Sequence, residues 1–332
     1  MLNPKKVYYE PAVMDYELGR ILHSKYADIP WEPIQNHNSI PFLQNNPNSE
    51  FMHMKKFIVV GVRKTQVFVP NQKTSDFLVP YTSSGCSAAC MYCYLVCNYN
   101  KCSYLRLFVN RERLLSKIIR TAEKSDDDLV FEIGSNSDLV LENTITGNLV
   151  WTIEHFAHCK KGFLTLPTKF DMVDSLLPLR HQGRIIMRMS VNPEEIIRKI
   201  EIGTSPLPAR IQALNQLSAA GYQIGLLIAP IILIPQWREL YPQLIEQLAE
   251  SLSARVKKGL KIEIIFMTYS YVHRMINRDA FLSSPELYDP EIMTVRGRGR
   301  YCYRTAERQE ASDLLRENIA KFLPKAQIQY IV

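Results

Sequence analysis

The sequence of 332 residues lacks any apolar run able to cross a bilayer. Its longest, Ile224 to Ile234, is broken by Pro230 and falls short of the ~20 residues that a spanning helix needs. It reads as a buried strand and its exit loop. No basic start leads into an apolar core, so no secretory leader is expected. The expected location is cytoplasmic, with no membrane partner. Internal repeats and low-complexity stretches are missing, which argues against a repeat architecture. Charge of one sign does not dominate: 40 basic and 33 acidic residues leave a net charge of +7. That excess is compatible with a nucleic-acid partner but does not require one. Hydrophobic content of 46% and charged content of 22% suit one large α/β domain or two modest ones.

Seven cysteines are present. Without a secretion signal they point to a reducing compartment, where clustered thiols are metal ligands more often than disulfides. Cys86, Cys90 and Cys93 stand as C-x3-C-x2-C within Ser84–Tyr94. Thiolates are the usual protein ligands of iron–sulfur clusters. Three on one short loop can hold three irons of a [4Fe–4S] cube and leave the fourth open. An open coordination position binds and activates a small molecule, as an open zinc site does with water. A zinc site would need a fourth ligand. Cys97 offers one, but C-x3-C-x2-C-x3-C is not a common zinc knuckle.

From about Asp76 to Tyr269 short apolar runs alternate with longer helical patterns, the mark of βα units and a parallel sheet. Strands are predicted at Asp76–Tyr81, Asp128–Ile133, Gly162–Leu166, Arg184–Val191, Tyr222–Ala229 and Leu260–Thr268. Helices are predicted at Arg111–Lys124, Leu139–His158, Met172–Leu177, Arg210–Ala220 and Trp237–Lys257. Asn192-Pro193-Glu194-Glu195 looks like a helix start. A further helix near Ala311–Phe322 and a closing strand, Gln327–Val332, end the chain. Strand ends carry polar tips, among them Glu132 to Ser137, Pro167-Thr168-Lys169 and Ser190-Val191-Asn192. In parallel barrels such tips build the active site.

With Tyr92 just before the third cysteine, the loop resembles that of the radical S-adenosylmethionine (SAM) superfamily. There the open iron chelates the amino and carboxylate groups of SAM, and an electron from the cluster cleaves SAM to a 5′-deoxyadenosyl radical. The resemblance implies an α/β fold, an incomplete (β/α)6 TIM-type barrel over residues 76–270. An N-terminal extension (1–75) would pack on it, and a C-terminal extension (271–332) would add a β-hairpin, a helix and a strand.

One branch, the spore photoproduct lyases, is closer. It is similar at Val59-Val60-Gly61-Val62-Arg63-Lys64-Thr65, Tyr92-Cys93-Tyr94-Leu95, Thr168-Lys169-Phe170, Ser190-Val191-Asn192 and Ala229-Pro230-Ile231. It is densest over Glu201-Ile202-Gly203-Thr204-Ser205-Pro206-Leu207 with Arg210-Ile211. These enzymes reverse the methylene-bridged thymine dimer that ultraviolet light makes in spore DNA. The resemblance implies cluster ligation by Cys86, Cys90 and Cys93, and SAM held by Ser137, Lys169, Ser190 and Asn192. Tyr92 would lie against SAM and Tyr94 would belong to a hydrogen-atom relay. A reducing partner such as flavodoxin or ferredoxin, and a monomeric state, are expected with it.

The sequence departs from the branch twice. Ser135 occupies the place of the cysteine that donates a hydrogen atom to the thymine radical. An alcohol O–H is too strong for that step, so the donor has moved, with Cys97 and Cys302 the candidates, or the substrate differs. Ile231-Ile232-Leu233-Ile234 stands where the branch has a histidine. Finally, Arg296, Arg298, Arg300, Arg304 and Arg308 are interleaved with Tyr301 and Tyr303. Such a segment can contact phosphates while a tyrosine stacks on an extruded base; the plainer reading is a solvated basic loop. The expected function is therefore thymine-dimer scission in DNA by a radical SAM lyase. The alternatives are a paralogue with another substrate and an iron–sulfur nucleic-acid binder without turnover.

Overall fold

A computed structural model describes residues 3–98 and 104–332, the side chains of Cys97 and Asn98 excepted. The chain divides into two compact units: residues 1–88, 94–166 and 174–185, and residues 89–93, 167–173 and 186–332.

The first unit contains a five-stranded sheet in the order Trp31–Pro33, Lys6–Tyr9, Phe57–Gly61, Leu105–Phe108, Ser83–Ser84. The first four strands are parallel and the last is antiparallel. Side chains alternate across it with the period of two that a pleated strand imposes. Val7, Ile58, Val60, Leu105 and Leu107 pack on one face, and Tyr8, Phe57, Val59 and Tyr104 on the other. Both faces are covered, which is why Phe57–Gly61 reads as an unbroken apolar run. The N-terminal segment thus shares one sheet with the strands that flank the cysteine loop.

In the same unit Phe77–Leu78, Val130–Glu132 and the paired residues Phe163, Leu164 and Thr165 of the strand Phe163–Thr168 run parallel, with Val69–Pro70 antiparallel at the edge. The expected helix Leu139–His158 is two helices, Leu139–Thr146 and Asn148–Phe156, parted at Gly147 with φ 67°. A left-handed glycine is a common helix stop. The expected helix at Met172–Leu177 is a single 3-10 turn, Asp174–Leu176.

In the second unit Ile185–Val191, Gln223–Ile231, Lys261–Phe266 and Gln327–Ile331 pair in parallel in that order. Helices Glu194–Ile200, Leu207–Ala219 and Trp237–Ser251 connect them. The long helix expected to reach Lys257 breaks at extended Leu252, and Ser253 caps a short helix, Ala254–Lys257. Beneath Ser190 on the same strand face, Arg188 pairs with buried Glu263 at 3.0 Å. Gly225 leaves room for it, since a Cβ there would lie 2.9 Å from Arg188 Cγ. A three-stranded antiparallel sheet, Thr268–Ser270, Arg300–Tyr303 and Met293–Gly297, carries the basic segment. The helix near Ala311 begins earlier, at Thr305. Among the described residues no helix is long and apolar enough to cross a membrane.

Candidate active site

In the second unit the site gathers on a carboxylate that sequence reasoning passed over. Glu201 ends the helix Glu194–Ile200 and opens the strand Glu201–Ile202, which pairs antiparallel with Ala89–Cys90. Its side chain is fully buried. Lys169 Nζ donates to Oε1 at 2.8 Å, Asn192 Nδ2 to Oε1 at 2.9 Å and Arg210 to Oε2 at 2.7 Å. The Tyr92 hydroxyl donates to Oε1 as well. Lys169 also donates to Ser190 Oγ at 2.6 Å and to the Ala229 carbonyl at 2.9 Å. Tyr92, Lys169 and Asn192, predicted on three separate loops, therefore meet at one residue, and Ser190 joins them through Lys169.

The charges decide what the cluster of side chains can hold. Lys169 and Arg210 are cations and Glu201 an anion, so the three together carry +1. Burial alone would push the Glu201 carboxyl up, but the Lys169 ammonium and the Arg210 guanidinium hold it at about 2. It stays ionised. Burial, and the carboxylate beside it, push the Tyr92 phenol well up, so it stays protonated. A ligand carboxylate reaching Lys169 would neutralise the excess, since an ammonium acts on it as a compact point charge.

In the first unit, strand Ser83–Ser84 leads into the cysteine loop. Arg106 Nε donates to Ser84 Oγ at 3.0 Å, and Lys55 Nζ donates to the Cys86 carbonyl at 2.9 Å. Gly85 has φ 82°, and a Cβ there would sit 2.4 Å from the Tyr104 carbonyl oxygen. Only glycine fits that turn. Buried Glu142 accepts from Thr82 Oγ1 at 2.9 Å, Ser83 Oγ at 3.3 Å and Asn148 Nδ2 at 2.7 Å. Asp138 caps the following helix through Val140 and Leu141. Ser137, just before it, has a buried hydroxyl with no hydrogen-bond partner among the described residues. Tyr94, more than half exposed, donates its hydroxyl to the Ser135 carbonyl. The Cys97 side chain and Cys102 lie outside the described residues.

Whether these residues suit the implied groups can be tested on the donors themselves. Cys86, Cys90 and Cys93 are half-buried and in no disulfide. The Ala88 amide donates to Cys86 Sγ at 3.4 Å, a contact that favours a thiolate. Among the described residues no three His, Cys, Asp or Glu side chains gather on a single ion. Ligands to three different irons of one cluster need not converge in that way. The thiol set fits a cluster, and within the second unit the surplus cation fits a ligand that carries a carboxylate.

The basic segment forms a tight hairpin. Arg298 (φ 51°) and Gly299 (φ 68°) are its central residues, and primed hairpin turns need positive φ at both. An arginine there is costlier than glycine or asparagine, yet it puts a cation at the tip. Arg296, Arg298 and Arg300 are exposed and Tyr301 is half-buried. Tyr303 corrects the expectation: it is 3% exposed, and its hydroxyl accepts from the Leu233 amide at 2.9 Å. Its ring is an internal prop, inaccessible to a base. The Tyr241 hydroxyl accepts from the Ile232 amide at 2.6 Å, so two tyrosines anchor the stretch that replaces the expected histidine. Cys302 lies opposite Thr268 and Thr294 in the hairpin sheet, half-buried.

The α/β fold, matched by solved relatives over its whole length, and the three-cysteine loop define a radical SAM enzyme. A sequence model described as spore photoproduct lyase matches residues 2–332. The chain is 32% identical to spore photoproduct lyase of Bacillus subtilis (strain 168) over 98% of both chains. It is 30% identical to that of Geobacillus sp. (strain Y412MC61), again over 98% of each. A solved spore photoproduct lyase variant with bound AdoMet and dinucleoside spore photoproduct superposes with TM-score 0.91 at 29% identity, covering 99% of both chains. A lyase complexed with dinucleoside spore photoproduct does so with the same score and identity, over 100% of this chain and 99% of that one. The chain belongs to the spore photoproduct lyase family.

Proposed function

We propose that this chain splits spore photoproduct in DNA, using a [4Fe–4S] cluster and SAM. The family match over the whole chain carries the reading, and the side chains gathered around Glu201 support it. When bound, the cluster and SAM supply a carbon-centred radical able to take a hydrogen atom from the lesion.

Cys86, Cys90 and Cys93 hold the cluster and leave one iron open. Lys169 binds the methionyl carboxylate, exchanging one of the acceptors named above for it, since an ammonium is a donor only. Glu201 fixes where Lys169 and Arg210 stand and locks the Tyr92 hydroxyl, so that the Tyr92 ring is presented in one orientation. Ser190 and Asn192 hold the carbonyls of Ala229 and Pro230, at 2.8 and 3.1 Å, and Ser137 offers its free hydroxyl to the ligand. Arg296, Arg298 and Arg300 take up phosphates, and Tyr301 lies beside the strand they engage. A small reduced carrier, flavodoxin or ferredoxin, supplies the electron, and the chain works as a monomer.

Ser135 cannot give the last hydrogen atom. The Tyr94 phenol, bonded to the Ser135 carbonyl, can, because its radical is delocalised over the ring; Cys97 is the second candidate. Anaerobic incubation of the reconstituted protein with dinucleotide spore photoproduct, SAM and a reductant is expected to release paired thymidylate. Cleavage of SAM with the dimer left intact would remove the lyase assignment.

A further inference from the structure

Two side chains of the helix Tyr271–Ala280 grip the cysteine loop in the second unit. The His273 Nε2 lies 3.0 Å from the Cys93 carbonyl oxygen. Asn277 Nδ2 donates to the Met91 carbonyl at 2.9 Å. These carbonyls flank Tyr92, and one belongs to a cluster ligand. Carbonyls only accept, so Nε2 carries the proton; Nδ1, 3.0 Å from Ser270 Oγ, then accepts from that hydroxyl. Asn277 also donates to the Tyr269 hydroxyl at 2.8 Å, and the His273 and Tyr269 rings stack at 18°.

The other end of this arrangement is the basic hairpin. Tyr269 and Ser270 belong to the strand Thr268–Ser270, whose register sets Tyr269 opposite Tyr301 and Ser270 opposite Arg300. The Tyr271 amide donates to the Gly299 carbonyl at 2.9 Å. One short strand is therefore bonded along its edge to the hairpin. Through Ser270 and Tyr269 it also holds the two side chains that grip the loop. Buried polar groups in such a network shift together, because releasing one leaves its partner unsatisfied.

We infer that His273 and Asn277 are positioning residues that couple nucleic acid on the hairpin to the cluster loop. Phosphate contacts at Arg298 and Arg300 set the strand Thr268–Ser270, and the strand sets the carbonyls of Met91 and Cys93. Cluster potentials respond to hydrogen bonding and to how the ligands are held, so DNA on the hairpin makes SAM cleavage faster. The inference rests on the proposed function and deepens it.

The test uses the full reconstituted chain with an undamaged duplex oligonucleotide, which separates it from lesion repair. Reductive SAM cleavage at limiting reductant, and the reduced fraction of the cluster by electron paramagnetic resonance, are measured with and without duplex. Wild type is expected to be stimulated. His273→Phe and Asn277→Ala are expected to lose about fivefold of the stimulation, the worth of one net hydrogen bond. Their iron content and duplex affinity should match wild type. His273→Gln, whose amide can donate to the Cys93 carbonyl, is expected to recover most of it. If His273→Phe fails to assemble a cluster, Asn277→Ala and His273→Gln carry the comparison. Full stimulation in Asn277→Ala, or none in wild type, overturns the coupling even if lesions are repaired. Stimulation without repair supports the coupling and sinks the lyase reading alone.

Discussion

Replacing Glu201 by Gln removes one charge and little volume from the point where the site converges. The magnitude follows from two routes. The carboxyl lies at about 2 in the folded chain against an ordinary 4.5, a gap that corresponds to about 3 kcal/mol of stability. Because the folded value is the lower one, that stability is fully present above pH ~4.5 and is lost as pH falls toward ~2. Breaking a buried ion pair by removing one partner independently costs about 3–5 kcal/mol, and here two cations would be left facing each other. Glu201→Gln is therefore expected to lose about 3–5 kcal/mol at pH 7. Urea denaturation reads this as a lowered midpoint, with an unchanged slope confirming that the unfolded state is the same. In the variant the acid-dependent part of the loss should be smaller by about 3 kcal/mol. A loss below ~1 kcal/mol, the worth of an ordinary hydrogen bond, would refute the claim that charge holds this cluster together.

Four other outcomes are expected. Cys90→Ala should abolish the visible absorption of the cluster and SAM cleavage, while Cys97→Ala leaves both; loss in the Cys97 variant would point to four-cysteine ligation. Gly85→Ala should lower iron content in reconstitution, because the turn holds φ 82° and the new Cβ would meet the Tyr104 carbonyl oxygen at 2.4 Å. Arg298→Ala and Arg300→Ala should each reduce the salt slope of duplex binding by about one, whatever the sequence, as fluorescence anisotropy would show. Tyr94→Phe should keep SAM cleavage and lose paired thymidylate, measured by chromatography; full repair in that variant would make Cys97 the donor to test next.

The sequence disclosed what local rules govern. The cysteine spacing, the alternation of strands and helices, and the polar tips that carry Lys169, Ser190 and Asn192 obey short-range patterns. What they converge on does not. Glu201 and Arg210 were visible as letters in the densest stretch of resemblance, but no periodicity tells that a residue at a helix end will be buried against a lysine 32 positions earlier. His273 and Asn277 were hidden for the same reason: their acceptors are backbone carbonyls some 180 positions away, and a carbonyl leaves no mark in a sequence. Tyr303 shows the converse. Set in an arginine-rich segment it reads as a base-stacking ring, yet strand alternation turns it inward to the Leu233 amide while Arg300 stays outside. A motif therefore identifies the chemistry a chain can perform, and the buried polar contacts decide which of its members perform it. In this chain those contacts make a carboxylate the organiser of its polar cluster, and at Ser135 it is the backbone carbonyl that accepts from the Tyr94 hydroxyl.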